Sequence, residues 1–201
     1  MPGINNTIQI LGSLPDGYQE VLHWRVTENR SRLIILQILG LICFVIFGII
    51  FSILAITLGK LPSISNFNTS VLVSVIVGSL MIMVFHELIH GLVMRRFGAR
   101  PKYGILWKGL MFYATSPGYA YHRNNYIVIA LAPFVVISIL SVLGMWLLQG
   151  TVWVALLSII GIINASGAIG DLWISMIVLR YPTTAYIIDE RDGIRVFLPM
   201  P

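Results

Sequence analysis

The sequence predicts an all-α membrane protein, with four transmembrane helices and a small cytoplasmic β element. Three observations predict it. Four apolar runs, 33–58, 71–94, 126–148 and 152–179, each exceed the ~20 residues a helix needs to cross a bilayer. Hydrophobic residues make up 57% of the chain and charged ones 10%, with a mean hydropathy of +0.88; soluble domains carry about 25% charged residues. Third, lysine and arginine are rich before the first run, reduced to Lys60 after it, rich again from Arg95 to Arg123, absent after the third run, and rich after the fourth. The positive-inside rule then puts both termini in the cytoplasm. The net charge of +5 belongs to this topology signal and to contacts with anionic lipid rather than to nucleic acid.

Residues 1–32 form a cytoplasmic segment. They are mostly polar, so no cleavable signal peptide is expected. Leu14-Pro15-Asp16-Gly17 is a turn, a strand is expected within Val21–Val26, and Thr27 or Asn29 can cap the first helix. His23 reads as a surface or strand histidine. Residues 33–180 form the transmembrane core, with Pro133 a kink in the third run. Within it, residues 101–116 are too short to span as a helix, and read as a re-entrant or interfacial hairpin turning at Lys108-Gly109. Residues 181–201 are expected to form a cytoplasmic hairpin, Ala185–Ile188 with Ile194–Leu198, that can pair with the N-terminal strand. Asp189, Glu190 and Asp192 between them read as a solvated turn. The single cysteine, Cys43, excludes an intrachain disulfide and a cysteine-rich metal site.

The chemistry is concentrated in His86-Glu87-Leu88-Ile89-His90, in the second run. A helix turns about 100° per residue, so His86 and His90 stack on one face. Two imidazoles so placed can hold one Zn²⁺, and Glu87 beside them can take a proton from the attacking water. These groups are costly to bury in lipid without such a purpose.

A catalytic zinc usually takes three protein ligands. Asp171 is the acidic residue of the fourth run, nine residues before Arg180. It reaches about the same depth as His86 from the same side, which makes it the favoured third ligand over a simple pairing with arginine. His122, at the mouth of the third run, is the runner-up. Asn164 lies two helical turns from Asp171 and on roughly the same face. It can contact substrate, support a ligand from behind, or bind a neighbouring helix. Gly161, Gly167 and Gly170 would let the fourth helix pack closely on the second.

With His86-Glu87-x-x-His90 in one span and Asp171 in a later one, the chain resembles the intramembrane metalloproteases of the site-2 protease type. It is also similar to a compact bacterial family of zincin-like membrane peptidases of unknown function. The likeness runs from the first span to the C-terminal segment, and the His-Glu-x-x-His element is its specific part. Site-2 proteases carry Asn-Pro and Leu-Asp-Gly in the later span. Here the chain reads Asn164-Ala-Ser-Gly-Ala-Ile-Gly-Asp171-Leu, a departure that bears on Asn164 more than on Asp171. The resemblance implies a zinc endopeptidase of the bacterial cell membrane that cuts a membrane protein or peptide at or within the bilayer. Glu87 would be the general base, and His86, His90 and Asp171 the ligands. The alternative is a catalytically inactive membrane protein that binds metal or a partner; a four-helix transporter is a weaker third reading.

Overall fold

The computed structural model describes residues 12–63, 68–107 and 111–200. In chain order the elements are β1 (Tyr18–Arg25), α1 (Arg30–Thr57), α2 (Thr69–Arg96), β2 (Lys102–Leu106), β3 (Met111–Thr115), β4 (Ala120–His122), α3 (Arg123–Leu147), α4 (Trp153–Gly167), α5 (Ile169–Val178), β5 (Tyr186–Glu190) and β6 (Gly193–Pro199). The molecule is mostly helical with a small sheet. Helices α1, α2 and α3 are long and apolar enough to cross a membrane, and α4 with α5 makes a fourth such unit if the bent pair is counted as one.

The helix starts follow local chemistry. Asn29 caps α1 by accepting from the Ser31 N–H, and Asn68 caps α2 by accepting from the Val71 N–H. Helix α4 packs on α1, α2 and α3, and α5 packs on α3. Outward faces stay apolar and exposed, at Leu41, Ile49, Leu80, Leu92 and Ile139 among others. Such a continuous apolar surface is compatible with a lipid environment, where every backbone group must be satisfied within the helix.

The sequence reading needs correction in two places here. The fourth apolar run is not one helix: it breaks at Ala168, and α4 and α5 are bent by about 40°. The break creates a new helix N-terminus with Asp171 in its first turn. The glycines also work differently. A Cβ at Gly161 would lie 2.2 Å from the Phe51 ring, so this residue seats α4 against α1 rather than α2. Gly167 and Gly170 have open space around them; Gly78 of α2 supplies the close approach, beneath Leu156 of α4.

At one end of the bundle lies a four-stranded antiparallel sheet of order β1-β6-β5-β4. The expected pairing of the C-terminal hairpin with the N-terminal strand is present, with Trp24 opposite Ile194. Strand β4 was not expected. Beneath the sheet is one core of Trp24, Met94, Tyr121, Ile129, Ile187 and Val196; a second, around Phe51, Met145, Val154 and Ala165, fills the bundle. Strands β2 and β3 form a separate hairpin, as the 101–116 reading requires, with β3 against α2. The Lys108-Gly109 turn lies outside the described residues.

Candidate metal centre

The His86-Glu87-His90 segment lies in the last third of α2, where one helical turn brings the two imidazoles onto one face. Their ring centroids are 5.0 Å apart. The ligating atoms of His86, Glu87 and His90 all lie within 4.8 Å of one another. Helix α5 delivers Asp171 to the same point: its Oδ2 is 3.0 Å from His86 Nε2 and its Oδ1 is 3.5 Å from His90 Nε2. The partial positive charge of the α5 N-terminus favours a carboxylate in that first turn.

The far nitrogens of both rings are also fixed. His90 Nδ1 donates to the Ile129 carbonyl at 2.9 Å. That carbonyl is available because Pro133, four residues on, has no N–H to bond it in α3. His86 Nδ1 lies 3.0 Å from Asn164 Oδ1. The Asn164 amide donates from Nδ2 to the carbonyls of Pro133 and Phe134, at 3.3 and 3.4 Å. This orients its oxygen toward His86, so His86 Nδ1 carries the hydrogen. In the neutral rings both Nε2 atoms are then acceptors, and they face a carboxylate that is also an acceptor. Such a convergence calls for a shared cation. Two imidazoles and a carboxylate, each oriented from behind, are the donor set that zinc takes.

Glu87 is half-buried beside this cluster and lines the same cavity as Ala114 of β3. The centre opens on a cavity of about 380 Å³. It is lined by His86, Glu87, His90, Asn164 and Asp171 from the helices and by Asp189 to Gly193 from the β5–β6 hairpin.

The structure thus brings His86, Glu87, His90, Asn164 and Asp171 together. The runner-up ligand His122 is elsewhere, exposed on β4, with its Nε2 2.9 Å from the Tyr186 hydroxyl. His23 is a strand histidine, 3.0 Å from Glu190. The solvated-turn reading of the acidic segment is overturned: Asp189 and Asp192 are buried at 8% and 7% exposure. A signal for Asp189 was present, because alternation along β5 puts it on the same face as the fully buried Ile187. Tyr126 and Ile129 were also missed as parts of this region.

The fold and site together define a mostly helical chain, with three or four helices fit to cross a membrane and a His-Glu-His cluster able to hold a metal ion. Residues 79–186, about half of the chain, match the family described as "Putative zincin peptidase", and the chain belongs to that family. It is also 28% identical over 115 residues to an "Uncharacterized 24.7 kDa protein in gap 5'region" of Pyrococcus woesei, covering 55% of this chain and 49% of that protein. The matched region therefore spans about half the length of this relative. No solved structure matches the chain.

Proposed function

We propose that this protein is a zinc-dependent endopeptidase embedded in a membrane, which hydrolyses a peptide bond of a membrane protein or peptide at the level of the centre described above. The observation that carries the reading is the convergence of three oriented acceptors, His86 Nε2, His90 Nε2 and an Asp171 oxygen, beside Glu87 in one cavity. The zincin family supports it.

His86, His90 and Asp171 would hold the metal. Zinc, when bound there, supplies a Lewis acid that polarises the scissile carbonyl and makes water acidic at neutral pH. The chain's own groups do the rest. Glu87 stands off the ligand face by about a quarter turn of helix, where its carboxylate accepts a proton from the attacking water and returns it to the leaving amine. Asn164 and the Ile129 carbonyl keep both imidazoles in the ligating tautomer. The helices and the sheet together line the cavity.

In this reading α1, α2, α3 and the bent α4–α5 pair are the spans. The sheet and both termini lie on the cytoplasmic side, where Arg25, Arg32, Arg95, Arg96, Arg123 and Arg180 cluster. The β2–β3 hairpin lies at the membrane interface beside Glu87.

The test compares wild type with Glu87→Gln, which keeps shape and hydrogen bonding but removes the base. Both proteins should hold about one zinc per chain by elemental analysis. Cleavage of co-expressed membrane substrates should fall by roughly 10²–10⁴-fold in the variant. Equal cleavage at equal zinc would overturn the role of Glu87, and unchanged zinc in both His86→Ala and His90→Ala would overturn the centre itself.

A further inference from the structure

The sheet wall of the cavity carries three carboxylates that the proposed chemistry does not use, and two of them are committed. Glu190 lies 3.0 Å from His23 and 3.7 Å from Arg25. Asp192 takes Arg25 at 3.0 Å together with the Thr27 hydroxyl. Asp189 is different. It lines the cavity and is more than nine-tenths buried. Its Oδ1 accepts from the Tyr126 hydroxyl at 2.8 Å, a neutral donor. Its Oδ2, fully buried, finds no donor among the described residues. The nearest basic residue in the sequence, Arg191, lies over the Tyr113 ring at 5.8 Å from the centroid.

An ionised carboxylate buried with one oxygen unbonded is costly unless a donor reaches it, and either a proton or a cationic donor also removes the buried charge. A neutral amide would satisfy the oxygen but leave that charge in place. The cavity is of the size that takes a small ligand or a few residues of peptide. We propose that Asp189 is a specificity subsite for a cationic nitrogen of the peptide entering this cavity, supplied by a lysine or arginine side chain or by a free amino terminus. This rests on the metallopeptidase reading of the same cavity and names its substrate class.

The experiment uses the full chain in detergent, loaded with zinc and carrying Glu87→Gln so that peptides bind without being cut. The probes are blocked alanine hexapeptides with lysine at each position in turn, the same set with norleucine, and hexa-alanine with a free amino terminus. Calorimetry measures their affinities, and elemental analysis measures zinc in the same samples. A charge-assisted hydrogen bond predicts that one lysine peptide, or the free-amine peptide, binds about tenfold or more tighter than its neutral counterpart; whichever does so identifies the source of the cation. Adding Asp189→Asn should erase that preference while zinc content and norleucine-peptide binding persist. Equal affinity of charged and neutral peptides, no binding of any peptide, or a cation preference that survives Asp189→Asn would each overturn the subsite. The wild-type Asp189 comparison needs no second variant to fold. Loss of zinc from the starting protein would sink the metallopeptidase reading instead, and the two failures are read from separate measurements.

Discussion

Asp171 and Asp189 line one cavity, one from a helix and the other from the sheet, and their surroundings are built differently. On the helical wall Asp171 meets two imidazoles at 3.0 and 3.5 Å, and each imidazole is held from behind. On the sheet side Asp189 meets neutral groups: its Oδ1 accepts from Tyr126, the Thr115 hydroxyl donates to its backbone carbonyl, and its Oδ2 has no donor among the described residues. The helical side is a set of acceptors converging on one point; the sheet side is a buried carboxylate among neutral groups. Buried acids in one cavity can thus serve opposite ends, and their partners, rather than their burial, separate the two.

The largest expected effect breaks the helical wall. Asp171→Asn leaves two imidazoles facing an amide, and zinc affinity should drop by on the order of 10²-fold or more, the scale of removing one partner from a buried charged set. His122→Ala should leave zinc unchanged, because His122 lies on β4 bonded to Tyr186. Zinc analysis after dialysis against graded chelator checks both, and the reverse pattern would move the third ligand to His122.

A smaller effect is expected one step behind the ligands. Asn164→Ala removes the acceptor that orients His86, and loss of such a supporting group typically weakens metal binding about 10–100-fold. The same chelator titration reads it. Affinity equal to wild type would reduce Asn164 to a contact between α4 and α3, through the Pro133 and Phe134 carbonyls.

The smallest effect sharpens the sheet wall. Burial pushes the Asp189 carboxyl up to about 7, against about 3.9 in an unfolded chain. Between those values the folded protein holds a proton that the unfolded chain has lost, so stability falls as pH rises from 4 toward 7. The slope is at most about 1.4 kcal/mol per pH unit. Asp189→Asn should flatten this part of the curve. Melting in detergent at pH 5, 6 and 7 measures the difference between the two proteins; identical slopes would show that the carboxyl titrates normally.

Much of the helical wall was legible in the sequence, because helical geometry is local. Residues four apart share a face, which places His86 over His90, and counting residues from the basic ends put Asp171 at the depth of His86. The structure brings these groups into contact. The break at Ala168 was not legible, since Gly167-Ala168-Ile169-Gly170 is as apolar as its surroundings and hydropathy does not register backbone direction. The service of Pro133 to His90 was hidden too: a proline announces a missing N–H, but which donor takes the freed carbonyl depends on packing between α2 and α3. The sheet wall was least legible. Asp189 sits in a polar run that resembles any exposed turn, and its burial follows from pairing with β6 and from α3 lying beneath. Such long-range contacts leave only the faint alternation of Ile187 and Asp189 in the chain itself.

The pairing of β1 with β6 orders events in time. Glu20 and Arg195, joined across these strands, are 175 residues apart. At synthesis rates of about 5–20 residues per second, β1 waits roughly 10–35 s for its partner. Over that interval Leu22 and Trp24 have no sheet to bury them, and an unpaired strand of this kind is prone to the wrong neighbour. The helices bearing His86, His90 and Asp171 leave the ribosome before Asp189 does. The helical side of the cavity is therefore made before the β5–β6 hairpin that completes its lining.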